Sequence, residues 1–192
     1  MIPEILILTL ISIILIFIRK KTLDISILKL EIKGYQILIL AAVIEITAEF
    51  LFNNITKNSL LEILSLNWLI YFAILAVTIM NFKKPFMKLL FIGTLLNFIA
   101  IISNDFKMPV LVSEILADSE AKKLYLQTGQ DLIHSLLTDD TRFKMLCDII
   151  TIPPPYPFPK TISIGDIFLL AGIFYVWHEP EVKNKIKKAI ET

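Results

Sequence analysis

The sequence predicts an all-α fold: an integral membrane bundle of about five transmembrane helices, with an extracytoplasmic helical cap and a Pro-rich strap. Three observations carry this prediction. Of 192 residues, 56% are hydrophobic and 19% charged, whereas a soluble domain is nearer half apolar and a quarter charged. Five apolar segments recur along the chain, each close to the length that crosses a hydrocarbon layer. A 22.0 kDa globule has too little interior to hide all five. Finally, the basic residues alternate between rich and poor connecting segments, as they do when loops lie on opposite sides of a bilayer.

The first apolar run, 2–18, is closed by Arg19-Lys20-Lys21. It has the length of a signal peptide, but its charges follow the run and no small-residue cleavage site appears, so a retained span is expected. Further spans are expected at 35–52, 67–82, 86–103 and 162–177. The chain therefore divides into a four-span region 1–103, a cap and strap 104–161, a fifth helix 162–177 packed on the same bundle, and a basic tail 178–192. Of nineteen Lys and Arg residues, twelve lie in 19–34, 83–88 and the tail, and six of the other seven are spread over 104–161. The positive-inside bias then sets the N-terminus and the 104–161 loop outside and the C-terminus in the cytoplasm. Trp68, Tyr71, Tyr175 and Trp177 stand near span ends, where interfacial anchors are expected.

The 104–161 segment is too long for a simple connection. Residues 113–127 and 130–150 read as short amphipathic helices, Ser113 capping the first and Thr128-Gly129 separating the two. Thr138-Asp139-Asp140-Thr141 marks a break and a new cap. Five prolines between Pro153 and Pro159 predict an extended, stiff strap leading to Gly165-Asp166.

Polar residues interrupt the spans at helical spacing. Gly93, Asn97, Ala100 and Asn104 form a small-and-polar stripe, whose ordinary use is close helix packing with amides bonding across the interface. Glu45 and Glu49 share one face of the second span. Glu45 lies roughly 15 Å deep at about 1.5 Å per residue. A carboxylate there is costly, which makes it a functional candidate; the bland alternative is a protonated Glu bonded to Asn97 or another span. Glu45, Glu49, Asn97, Asn104 and Asp166 all fall between the midplane and the outer surface, so any site opens outward.

In the loop the candidates are His134 and Asp148, with Asp131 three residues before the histidine. Asp131 and His134 could share a metal or form a base and its orienter. Solvation or capping is the stronger reading, because metal sites gather more His or Cys ligands. The single Cys147, flanked by apolar residues, reads as a small buried hydrophobe and excludes an intramolecular disulfide. No phosphate loop, HExxH, GxSxG or CxxC is present, and a net charge of +1 gives no argument for nucleic acid. The sequence names no metal and no cofactor.

The preferred reading is a binding protein with an outward-facing polar pocket of Glu45, Glu49, Asn97, Asn104, His134, Asp148 and Asp166. It would hold a small molecule, a lipid head group or a partner. An intramembrane enzyme using Asp148, Asp166 and His134 on a lipid-linked substrate is the alternative. A third class is a proton- or ion-coupled transporter using Glu45 and Glu49. Five spans lack an inverted repeat, though a homodimer could supply the second half.

Several motifs resemble a known family. They are Gly93-x-x-x-Asn97 leading into Asn104-Asp105-Phe106-Lys107-Met108-Pro109-Val110, then His134, Cys147-Asp148-Ile149-Ile150-x-Ile152-Pro153, and Ser163-Ile164-Gly165-Asp166. Over residues 90–177 this pattern is similar to DUF5317, with its Asn-Gly-Gly-x-Met-Pro-Val, Leu-x-Asp-Ile-Ile-Pro-x-Pro and Ser-x-Gly-Asp signatures. Asp105-Phe106 stand where that pattern has glycine, and Thr151-Ile152-Pro153 shifts the strap by one residue. The resemblance implies a multi-span protein of the bacterial inner membrane and no established activity.

Overall fold

The computed structural model describes residues 2–20, 31–54, 68–117, 119–129, 131 and 133–177. Five helices form the bundle: α1 (Ile2–Lys20), α2 (Tyr35–Asn54), α3 (Trp68–Met80), α4 (Pro85–Ser103) and α6 (Ile164–Val176), with α5 (Ser119–Gln127) in the cap. Side-chain and backbone bonds fix their directions. Asn81, just past α3, exchanges two hydrogen bonds with the backbone of Lys33, just before α2. Farther along α2, Glu45 bonds the start of α3, so these helices run antiparallel. A tight turn at 81–84 sends α4 back, with Pro85 at its first position, where no N–H is needed. The α4 and α6 helices pack antiparallel and most extensively. The start of α1 meets the loop just before α6. The ends of α2 and α4 and the starts of α1, α3 and α6 therefore gather at one pole, beneath the cap.

Among the described residues, one helix, Pro85–Ser103, is long and apolar enough by itself to cross a membrane. Shorter apolar stretches are Pro3–Ile16, Tyr35–Ala48, Leu69–Met80 and Ile164–Val176. The basic tail 178–192, most of the 19–34 loop and residues 55–67 lie outside the described residues.

The cap corrects the all-α expectation. Within 113–127 only Ser119–Gln127 is helical, and Ser113 closes a turn onto Leu116 N–H instead of capping a helix. Among its described residues, segment 130–150 has no α-helix. It holds β2 (His134–Leu136), a 3-10 turn at Lys144–Leu146 and the first residue of β3 (Ile150–Ile152). β1 (Met108–Val110) pairs in parallel with β2 and bridges to Asp148 on its other side. The physical reason is nonlocal. Once β1 leaves α4 buried, its N–H and C=O groups need partners, and the 133–137 and 148 backbones supply them. The Thr138–Thr141 stretch is the turn between, closed by Thr141 Oγ1 accepting from Thr138 N–H at 2.9 Å.

The prolines do not form an extended strap. They occupy the loop of a hairpin in which β3 pairs antiparallel with β4 (Lys160–Ile162). Proline fits there because that loop needs few ladder donors. The cap's apolar underside, Met108, Cys147, Leu137 and Leu146, seats on Ala100 and Ile101 at the end of α4.

Candidate functional site

The site begins at the crossing of α4 and α6, where glycine lets two backbones nearly touch. A Cβ on Gly165 would lie 2.0 Å from Asn97 Oδ1, and one on Gly93 would lie 2.5 Å from the Gly165 carbonyl. At that separation Asn97 reaches the first turn of α6. Its Nδ2 donates to Asp166 Oδ1 at 2.9 Å, and its Oδ1 accepts from Ser163 Oγ at 2.7 Å. Ser163 Oγ in turn accepts from Asp166 N–H at 2.9 Å, while the Asp166 carboxylate reaches back to Ser163 N–H. The Ser-x-x-Asp sequence is thus a capping box that starts α6, with Asn97 bonding both of its side chains.

Above it, Asn104 pins the cap to α4. Its side chain accepts from Arg142 N–H at 2.9 Å and donates to Arg142 O and Ala100 O. The chain then reverses through Asp105 and Phe106, both left-handed at φ 54° and 59°. Asp148 is clamped by its backbone, which donates to Pro109 O at 3.0 Å and accepts from Leu111 N–H at 2.8 Å.

Between bundle and cap lies a cavity of about 180 Å³. Its polar wall includes Tyr71, Asn97, His134, Asp148, Lys160 and Asp166, and its apolar wall includes Ile101, Phe106, Met108 and Ile133. Asp148 is only 8% exposed, and its Oδ1 is buried without a hydrogen-bond partner. Burial, and then the nearby Asp166 carboxylate, push the Asp148 carboxyl up to about 7, against the pull of Lys122 and Lys160. Lys160 is committed elsewhere: its Nζ lies 2.5 Å from Glu4 Oε2 at the start of α1, and Tyr156 donates to Glu4 Oε1 at 2.9 Å. Burial disfavours the Lys160 charge, but Glu4 more than offsets this and holds the amine above its ordinary value.

Asp131 is a local cap. Its Oδ1 accepts from the N–H groups of Ile133 and His134, both at 2.8 Å, and its Oδ2 lies 3.2 Å from His134 Nδ1. Burial opposes its charge, yet those N–H groups and His134 hold it below the usual carboxylate value. Among the described residues no group of three or more His, Cys, Asp or Glu side chains is placed to hold a metal ion.

Four of the seven candidate residues, Asn97, His134, Asp148 and Asp166, line this one cavity. Asn104 does not; its amide is used in joining cap to helix. Glu45 does not either. It is not bonded to Asn97: its Oε1 accepts from Ile70 N–H at 2.7 Å, meeting an otherwise unpaired donor in the first turn of α3. The Glu49 side chain lies outside the described residues. Cys147 is fully buried, with Sγ 3.6 Å from Phe143 O, and burial pushes its thiol up to about 11. Sequence reasoning missed Lys160 and assigned Tyr71 to the interface. Tyr71 had a signal, since it shares a helical stripe with Thr78 and Asn81. Lys160 had none, because its partner Glu4 is remote in sequence.

The geometry defines a class: a helical bundle closed at one pole by a strand-built cap, with a polar cavity at the seam. Residues 29–177 match a family of unknown function (DUF5317), and the chain belongs to that family. The match contains the four converging candidates, while Glu4 precedes it. No curated protein and no solved structure matches the chain.

Proposed function

We propose that the chain is a five-span protein of the bacterial cell membrane that binds a small molecule or lipid head group in the cavity beneath its outward-facing cap. One observation carries the binding reading. Asp148 Oδ1 is buried, unpartnered and set in a cavity wall, and a buried carboxylate oxygen without a partner costs stability unless something else occupies the site.

The membrane reading rests on an inverted distribution of side chains. Leu6, Leu10, Ile14 and Ile18 of α1 are exposed, as are Ile39, Val43, Ile46 and Phe50 of α2. The buried polar residues Ser12, Glu45, Thr78, Thr94 and Asn97 face inward. Water would favour the reverse, and lipid favours this arrangement. At about 1.5 Å per residue, α4 spans roughly 28 Å, while α3 and α6 are shorter and begin beneath the cap. At that end the chain leaves α4 as β1, which is buried throughout, and non-helical backbone at membrane depth is tolerated where it is buried in protein or lines a water-filled cavity. Glu45, satisfied by α3, lends no support to proton-coupled transport.

The test is a ligand screen on the purified full chain in lipid nanodiscs, read by native mass spectrometry and thermal unfolding. Wild type is expected to retain or acquire a small ligand. Ile133→Trp, at the half-open cavity wall, is expected to weaken it by about tenfold or more with the unfolding midpoint of the free protein unchanged. A screen without ligands, or ligands indifferent to Ile133→Trp, overturns the reading.

A further inference from the structure

We propose that the cavity takes a primary ammonium group on a short hydrocarbon body, whether of a free amine or a lipid head group, with Asp148 as its counter-ion. This rests on the reading of the cavity as a binding site. The balance of donors, acceptors and charge around the cavity favours such a group.

The wall's ammonium and amide donors are already committed. Lys160 is neutralised by Glu4, the His134 Nδ1 faces Asp131, and the Asn97 amide nitrogen is bonded to Asp166. Its open acceptor is Asp148 Oδ1, which has no partner, and Asp166, already bonded by Asn97 and Ser163, places a second carboxylate beside it. An anion entering here would meet two carboxylates and no uncommitted cation on the named wall. Calcium and magnesium prefer six or more oxygen ligands and zinc three or four protein ligands, whereas no group of three or more His, Cys, Asp or Glu ligands gathers among the described residues. An ammonium brings one positive charge and three donors, which suits the unpartnered oxygen. Tyr71, Phe106, Ile101 and Met108 line the cavity as well and give the hydrocarbon body apolar surface. A cavity of about 180 Å³ holds on the order of six water-sized groups, enough for a short amine.

The probes are n-propylamine, propionate and propanol, matched in size and differing in charge. They are added to the full chain in phosphatidylcholine nanodiscs, whose methylated head group has no N–H. Propylamine is expected to raise the unfolding midpoint at about pH 8, and Asp148→Asn to weaken its binding by about tenfold or more. Should Asp148→Asn not fold, pH serves on wild type. Asp148 lies near Asp166 of α6, Lys160 of β4, Lys122 of α5 and Tyr71 of α3, and shares the cavity wall with His134 of β2. Going from about pH 8 to 6 neutralises Asp148, whose carboxyl is pushed up to about 7, so amine affinity falls about tenfold. Repeating the titration in phosphatidylethanolamine nanodiscs separates the sources. Loss of the propylamine shift there indicates an occupying head group, and its persistence a free amine; either supports the ammonium site. Equal binding of propionate or propanol overturns the ammonium assignment and leaves the cavity reading standing, as does amine binding indifferent to Asp148→Asn or to pH. Binding of none of the three overturns the assignment, and the broader screen then decides the cavity reading separately.

Discussion

Asp148 owes its position to its backbone, not its side chain. Both of its backbone groups are bonded to the segment leaving α4, so the carboxyl is carried into the cavity whatever it finds there. Its folded value of about 7 against an ordinary 3.8 links stability to pH. The folded state keeps a proton that the unfolded state gives up, so this contribution is fully present below about pH 4, fades as pH rises to 7, and is flat above. At about 1.4 kcal/mol per pKa unit, the upper bound is on the order of 4 kcal/mol. Asp148→Asn is therefore expected to remove most of the fall in unfolding midpoint between about pH 4 and 7 and to raise the midpoint at pH 8. Superimposable profiles for the two proteins would assign the titration elsewhere. Two residues at the turn before β1 speak to the same scale. Asp105 and Phe106 occupy left-handed backbone that costs a non-glycine residue roughly 1–2 kcal/mol. The Asn-Gly-Gly pattern that this stretch resembles has glycine at both positions. The tight turn survives the departure because Asn104, β1 and the Arg142 backbone hold both of its ends.

At the scale of elements, the α4–α6 seam organises the site. The Gly93, Asn97, Ala100, Asn104 stripe was legible as a packing face because small and amide residues at helical spacing have few other uses. Its partner was not legible, since Gly165 and Asn97 are far apart in sequence and nothing local pairs them. Gly165→Ala tests the seam: its Cβ would meet Asn97 Oδ1 and the Gly93 carbonyl at once. Overpacking of this kind costs about 1–3 kcal/mol, and here it also parts Asn97 from the capping box. The expected result is a drop in unfolding midpoint larger than that of Gly129→Ala, whose Cβ would meet nothing but whose φ of 69° strains an alanine by roughly 1 kcal/mol. Equal effects of the two substitutions would refute close packing at the seam. The cap was misread for a related reason. Leu136, Leu137 and Leu146 suit an amphipathic helix as well as a buried ladder, and the choice was made by β1, whose exposed edge exists only after α4 has ended.

For the whole molecule, the alternation of five helices sets the cap at one pole and the Lys33, Lys83 and Lys84 segments at the other. Cys147 is buried with a raised thiol value, so wild type offers a silent background for single-cysteine labelling. A membrane-impermeant maleimide on intact cells should modify Met145→Cys in the cap, while Lys83→Cys should react only after lysis. The reverse pattern would invert the proposed orientation, and labelling of both in intact cells would deny that the bundle separates them.

The sequence by itself determined the helical character of the chain, the polar stripes on its helices, the family and the start of α6 at Ser163-x-x-Asp166. These depend on composition, periodicity and capping, all of which act between residues close in sequence. Only the tertiary structure decided that Glu45 serves α3, that His134–Leu136 pairs as strand with β1 and that the prolines turn a hairpin. The meeting of Asn97, His134, Asp148 and Asp166 on one cavity was likewise settled there. Each depends on partners brought together by packing, and a backbone group or carboxylate takes the partner that packing supplies.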